Sequence, residues 1–198
     1  WSYVTTGSVT NSSIRTFTAS ASDAAGNTSA FLRAWIEGTA GNDTFAFASR
    51  ANLVAPGEVD GNGGTDTISM TALVTLGSGD FANVTSVETL QLTGASTVTL
   101  GADAATAGIV NIVTGAGTTG ITDTNGVALS VDATALADDF TLTLAGSAAQ
   151  TVTGLRGDLA ASGVSGALNV TTVAVASGLS VVAGSGPNTI TATALTAG

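Results

Sequence analysis

Along most of the chain, apolar and polar positions alternate. Runs such as LQL, LSV, TLTL and LNV put Leu or Val at every second residue and Thr, Ser, Asn or Gln between them, and NIV and TITAT are short runs of the same kind. That is the period of a strand rather than of a helix. The runs recur around Gly-rich turns: IEGTAGNDTFAF (36–47), VDGNGGTDTISM (59–70), LQLTGASTVTL (90–100), NIVTGAGTTGITDT (111–124), TLTLAGSAAQTVTG (141–154) and SVVAGSGPNTITAT (180–193). Aligning on the apolar residue after each turn gives Phe45, Ile68, Val98, Ile121, Val152 and Ile190, at intervals of 23, 30, 23, 31 and 38 residues. A strand–turn–strand unit of this size cannot bury its apolar face alone, whereas stacked copies bury a continuous stripe. The pattern therefore predicts an all-β chain, an irregular parallel β-solenoid or β-roll with Gly-rich turns over residues 36–198. Three Ala-rich stretches, 102–108, 132–140 and 157–167, read as corners, single helical turns or loops, with Asp103, Asp132 and Asp158 as candidate caps.

Residues 1–35 read differently. WSYV has strand character. Phe17, Ala19 and Ala21 then alternate up to the turn Asp23-Ala-Ala-Gly26-Asn27, and a second short strand comes after it. This is a hairpin signal. The phrase ASDAAGNTS resembles the closing hairpin of bacterial immunoglobulin-like repeats, which implies the last strands of such a domain at 1–35, or a partial β-sandwich. The bland alternative is an ordinary hairpin packed on the first turns of the solenoid. Trp35 is expected to plug the N-terminal end of the solenoid core.

Composition narrows the chemistry. Charged residues are 9% of the chain against roughly 25% in an ordinary domain, and the net charge is −10. Lys is absent, so the only cations are Arg15, Arg33, Arg50 and Arg156. No basic patch can form, which argues against nucleic acid as a partner. Cys and His are absent too, which removes disulfide scaffolds, Cys-type zinc sites and the common nucleophile–base triads. Without Lys there is no Schiff base or P-loop. No apolar run is long enough to span a membrane. The first residue is Trp1, which suggests a slice of a longer chain. Asp138 and Asp139 are adjacent and read as solvated corner residues, and Asp158 with Arg156 as a surface ion pair.

Two stretches carry candidate chemistry. GTAGNDTF (38–45) and GNGGTDTI (61–68) both place an aspartate after a Gly/Asn turn and before Thr-hydrophobic. They resemble the G-G-x-G-x-D-x-U-x repeat of RTX (haemolysin-type) calcium-binding proteins. That resemblance implies Ca²⁺ held between stacked turns by carbonyls and carboxylates. Asp43 and Asp66 take the aspartate position. Gly38, Gly41, Gly61 and Gly64 take turn positions, with Asn42 in the first turn, and Asp60 and Asn62 are further candidate ligands. The departures are the spacing of 23 residues rather than nine and the non-acidic Thr119, Gln150 and Asn188 in later units. The alternative for each aspartate is an Asx-type turn that satisfies nearby N–H groups.

The segments VTSVETLQLTGASTVTL and VTGLRGDLAASGVSGALNVTT resemble degenerate repeats of large RTX-type surface proteins, calcium-dependent S-layer proteins and adhesins. The resemblance implies type I export, residence at the bacterial cell surface and a structural, non-enzymatic role. Self-association into an array or filament is the expected partnership, with cell-surface polysaccharide as a further candidate. An adhesin stalk is the runner-up. Less favoured are a polysaccharide-active β-helix enzyme and an ice-binding solenoid built on T-x-T ladders, the latter because the unequal repeat lengths argue against an evenly spaced array.

Overall fold

The computed structural model describes residues 15–17, 21–22, 25, 28–29, 35–175 and 178–193. It is a parallel β-solenoid of about seven turns. Two sheets run its length. The long sheet has eight strands: Thr44–Phe47, Thr67–Met70, Thr89–Gln91, Asn111–Val113, Leu129–Asp132, Gln150–Leu155, Leu168–Thr172 and Asn188–Thr191. The short sheet has six: Thr75–Leu76, Ser96–Leu100, Thr119–Asp123, Thr141–Gly146, Asp158–Val164 and Val181–Val182. From Asn111 onward the chain passes from one sheet to the other and back, one strand of each per turn.

The long sheet stacks one apolar column, Phe45, Ile68, Leu90, Ile112, Val131, Val152, Val170 and Ile190, each the register partner of the next. All but Ile190 are at most 3% exposed. The period is thus eighteen to twenty-three residues, more regular than the sequence alignment suggested. Val98 and Ile121 do not belong to this column. They pair with each other in the short sheet, between Leu76 and Leu144. Each turn carries two apolar alternations, and the alignment had mixed the two sheets.

Facing outward from the long sheet is a second column one residue earlier: Thr44, Thr67, Thr89, Asn111, Ser130, Thr151, Asn169 and Thr189, again in unbroken register. Unequal repeat lengths are absorbed at the corners and in register shifts outside the column, so they leave this array evenly spaced, contrary to the sequence expectation.

At the start, a third sheet flanks the solenoid. Trp35–Glu37 pairs in parallel with Glu58–Asp60, which pairs with Val84–Thr85. Arg15–Phe17 adds to it antiparallel. The next position is taken by helix α2 (Ala102–Ala107), which packs on Val84–Thr85, and the Val87 N–H donates to Ala107 O at 2.9 Å. The expected hairpin is present as Ala21–Ser22 against Thr28–Ser29. The WSYV strand and most of 1–34 lie outside the described residues. Trp35 does not plug the core. It is 52% exposed, and Phe45, Phe47, Leu53 and Phe81 fill that end instead.

The corners differ in kind. Helix α1 (Arg50–Val54) is capped by Ser49, whose hydroxyl accepts from the Asn52 N–H. In α2, Gly101 holds the cap position and Asp103 lies in the first turn, where its charge suits the helix dipole. Gly108 closes α2 at φ 99, the left-handed conformation that glycine adopts freely. Asp132 does close a turn, accepting from the Thr134 N–H and hydroxyl. The stretch 157–167 is a strand rather than a corner, because Leu159, Ala161 and Val164 face the core. Asp158 pairs with the Ser180 N–H of the next turn, not with Arg156. Asp138 and Asp139 lie in a turn, one half-buried and one exposed. No described helix is long and apolar enough to cross a membrane.

One ion pair was not foreseen. Arg50 Nε and Nη2 donate to the two Asp80 carboxylate oxygens, both at 2.6 Å, and the Gly77 N–H donates to Asp80 Oδ2 at 2.7 Å. Burial alone would raise the Asp80 carboxyl, but these bonds and the guanidinium charge hold it below the usual carboxylate range. A depressed value contributes stability above the unfolded-state pKa that is lost as acid protonates the folded carboxylate. Removing Arg50 leaves a buried acceptor unpaired. Arg50→Ala is expected to lower stability in urea unfolding at neutral pH, and to lower it much less at a pH low enough to protonate Asp80.

Candidate functional site

The two glycine turns, residues 38–43 and 61–66, stack directly on one another at one corner of the solenoid, where the flanking sheet passes into the long sheet. Glu37, Asp60 and Thr85 are register partners before the turn, and Thr44, Thr67 and Thr89 after it. Asp43, Asp66 and Glu88 therefore occupy equivalent positions in three successive turns. Glu88 was missed in the sequence, although Glu88-Thr89-Leu90 repeats the acid-Thr-hydrophobic phrase of Asp43-Thr44-Phe45 and Asp66-Thr67-Ile68. In the next turn the position is Val110, and the acidic row ends.

The second and third acids each cap the backbone of the turn before them. The Asp43 N–H donates to Asp66 Oδ1 at 2.7 Å, and the Asp66 N–H donates to Glu88 Oε2 at 2.8 Å. The Asp43 carboxylate is closed locally by the Thr39 N–H and hydroxyl. At a corner the chain bends away from the sheet, so a carboxylate bridges to an N–H that a strand carbonyl would otherwise pair.

The glycines divide by what lies beside them. A side chain on Gly61 would begin 1.9 Å from Ser86 O and 2.4 Å from Asp66 Oδ2, and one on Gly38 would begin 2.5 Å from Gly61 O. Gly64, at φ 118, lies against the Gly41 backbone. Glycine is obligatory at these three. Gly41 has nothing closer than 3.7 Å and is not. Asn62 adopts φ 64, a region that Asn tolerates, and its N–H donates to Asp60 Oδ1 at 2.9 Å.

Hydrogen bonds join the two turns directly. Gly38 O accepts from the Asn62 side-chain amide at 2.9 Å, and Thr39 O accepts from the Gly63 N–H at 3.3 Å. Asn42 Oδ1 accepts from the Thr65 N–H at 2.8 Å. Among the described residues no three acids converge as a metal-binding group. The turns brought together are the expected ones, and direct bonds between them already engage the Gly38 and Thr39 carbonyls and the Asn42 amide oxygen.

One oxygen stands apart. Asp66 is 1% exposed, and its Oδ2 has no hydrogen-bond partner. Burial pushes this carboxyl above the ordinary aspartate value. The bond from the Asp43 N–H opposes the rise, and the charges of Glu88, Asp43 and Asp60 add to it. A proton on Asp66 answers the same need that a cation would.

Elsewhere, a groove of about 530 Å³ opens on the short sheet beside Thr97, Gly120 and Thr143, under Leu73. Its lining is aliphatic and hydroxyl side chains, without acid or base. Compared with protein-family models, with curated proteins and with solved structures, the chain finds no match.

This geometry makes the glycines and Asp66 open to direct trial. Gly61→Ala should abolish cooperative folding of the first turns, while Gly63→Ala, whose added methyl meets nothing nearer than 3.8 Å, should be tolerated in thermal melts. A raised folded-state value means that the proton binds the folded state more tightly, so this contribution is present at low pH and lost as pH rises through the folded value. The melting temperature of Asp66→Asn relative to the parent chain should therefore increase as pH rises through that value. Adding Ca²⁺ through the ~10⁻⁴–10⁻³ M range of extracellular modules should leave circular dichroism and melting unchanged. Folding that requires calcium and is lost in Asp43→Ala/Asp66→Ala would reinstate an ion at this corner.

Proposed function

We propose that this chain is a structural segment of a secreted bacterial cell-surface protein, one that builds an S-layer or a similar extracellular array. The observation that carries the reading is the unbroken register of the Phe45-to-Ile190 and Thr44-to-Thr189 columns across the eight strands of the long sheet. A stack whose every strand pairs with the next is a rod with a fixed axial repeat, and an array needs such a spacer. The exterior supports it as well. The outward column is hydroxyl and amide throughout, suited to a protein that stays hydrated with few charges. The likeness of the two Gly–Asp turns to RTX repeats, and of ASDAAGNTS to immunoglobulin-like repeats, favours an exported, modular surface protein. The role proposed is structural: the Asp66 and Glu88 carboxylates at the acidic corner accept from the backbone N–H groups of the turns before them.

The second reading is the stalk of a large RTX-type adhesin, favoured by the same rod. The two part on self-association. Negative-stain electron microscopy of the purified chain over a concentration series should show ordered sheets or filaments if it is an array segment. Isolated short rods at every concentration would replace that reading with the stalk.

A further inference from the structure

We infer that the outward face of the long sheet is the surface through which two copies of this chain pair. The inference rests on the array reading above and names the contact within it. The Thr44-to-Thr189 column crosses all eight strands without a charged or apolar residue. Thr44, Ser130, Thr151, Asn169 and Thr189 in it are exposed. The neighbouring outward column, from Ala46 through Ser69, Gln91 and Val113 to Asp132 and Thr153, holds one carboxylate. That carboxylate, Asp132, is turned to Thr134 by two hydrogen bonds. The whole chain has 14 acids and a net charge of −10, so its longest face is nearly free of the charge found elsewhere.

A partner for this face must be uncharged and must repeat at the strand spacing. A second copy meets both conditions. Ser and Thr hydroxyls and Asn amides each donate and accept, so a ladder of them complements itself about a two-fold axis without opposite charges. A face carrying the chain's average charge would repel its own copy. Seven strand spacings of about 4.8 Å give a ladder about 34 Å long. Two columns make it about 10 Å wide, so the face buries only about half of the ~800 Å² per partner of a standard stable interface. Paired copies are therefore weak dimers that gain strength when many are held in one lattice or tethered to one surface.

The test is sedimentation velocity over a concentration series on the parent chain and two double variants, with circular dichroism confirming that each is folded. Thr151→Glu/Asn169→Glu places like charges on adjacent strands of the face. Thr97→Glu/Thr143→Glu places the same charges outward on the short sheet. Self-association of the parent that weakens about tenfold or more in the first variant and is unchanged in the second is the expected result. Association that survives in the first variant and fails in the second overturns the inference but leaves the array reading standing. A parent that stays monomeric throughout overturns both. A monomeric parent that shapes ice crystals, or sediments with an insoluble neutral polysaccharide, in a Thr151-dependent way gives the face to that solid instead.

Discussion

No turn of this chain can bury its apolar side chains except against the turns before and after it. A two-stranded rung is one side chain thick, and its Leu, Ile or Val would lie open to water if isolated. Parallel in-register pairing supplies the backbone hydrogen bonds and the apolar stripe together, since the same stacking brings both into contact. Ile190 shows the dependence. It continues the column of Val152 and Val170, yet it is 45% exposed, because no described strand lies beyond it. The rest of the structure comes from keeping that register while the chain turns corners of unequal length.

Corners are where the register is at risk, and they are solved locally. At the start, the row Asp43, Asp66 and Glu88 substitutes side-chain oxygens for strand carbonyls, and Gly38 and Gly61 leave the room that those oxygens need. Glycine and aspartate recur together because they solve one steric problem: the carbonyl of the following turn and the aspartate oxygen converge where a side chain would stand. Farther along, α2 replaces a strand, and the pairing of Thr141–Gly146 with Asp158–Val164 shifts register to take up surplus residues. These devices, and a second register shift beyond Val152 in the pairing of Gln150–Leu155 with Leu168–Thr172, lie outside the columns, so the columns of the long sheet stay in step while the repeat varies.

The fold class was legible because period-2 alternation and Gly-rich turns survive in almost every unit. The assignment of residues to sheets was not, since the two alternations in a turn look alike. Val98 and Ile121 resemble Ile68 locally, and only the long-range pairing separates them. The turn residues Asp43, Asp66, Gly38, Gly61 and Gly64 were found by their motif. Glu88 was hidden because its turn is short and lacks the glycines, although the phrase Glu-Thr-Leu marked it. Trp35 lies on the flanking sheet rather than in the core, whose first layers are filled by Phe45 and Phe47 from the long sheet and by Leu53 and Phe81 from the corners. Arg50 and Asp80 are thirty residues apart, and nothing in either neighbourhood signals the other.

Because the chain contains no Cys, two can be introduced at chosen sites and spin-labelled without background. Labels at Thr44 and Asn169, dilute enough to keep copies apart, test the stack most directly by pulsed electron–electron resonance. Six strand spacings separate these positions in one outward column, so a narrow distance distribution centred near about 29 Å, broadened only by the label arms, is expected. A broad distribution, or a centre displaced by a whole strand spacing or more, would contradict a single in-register solenoid.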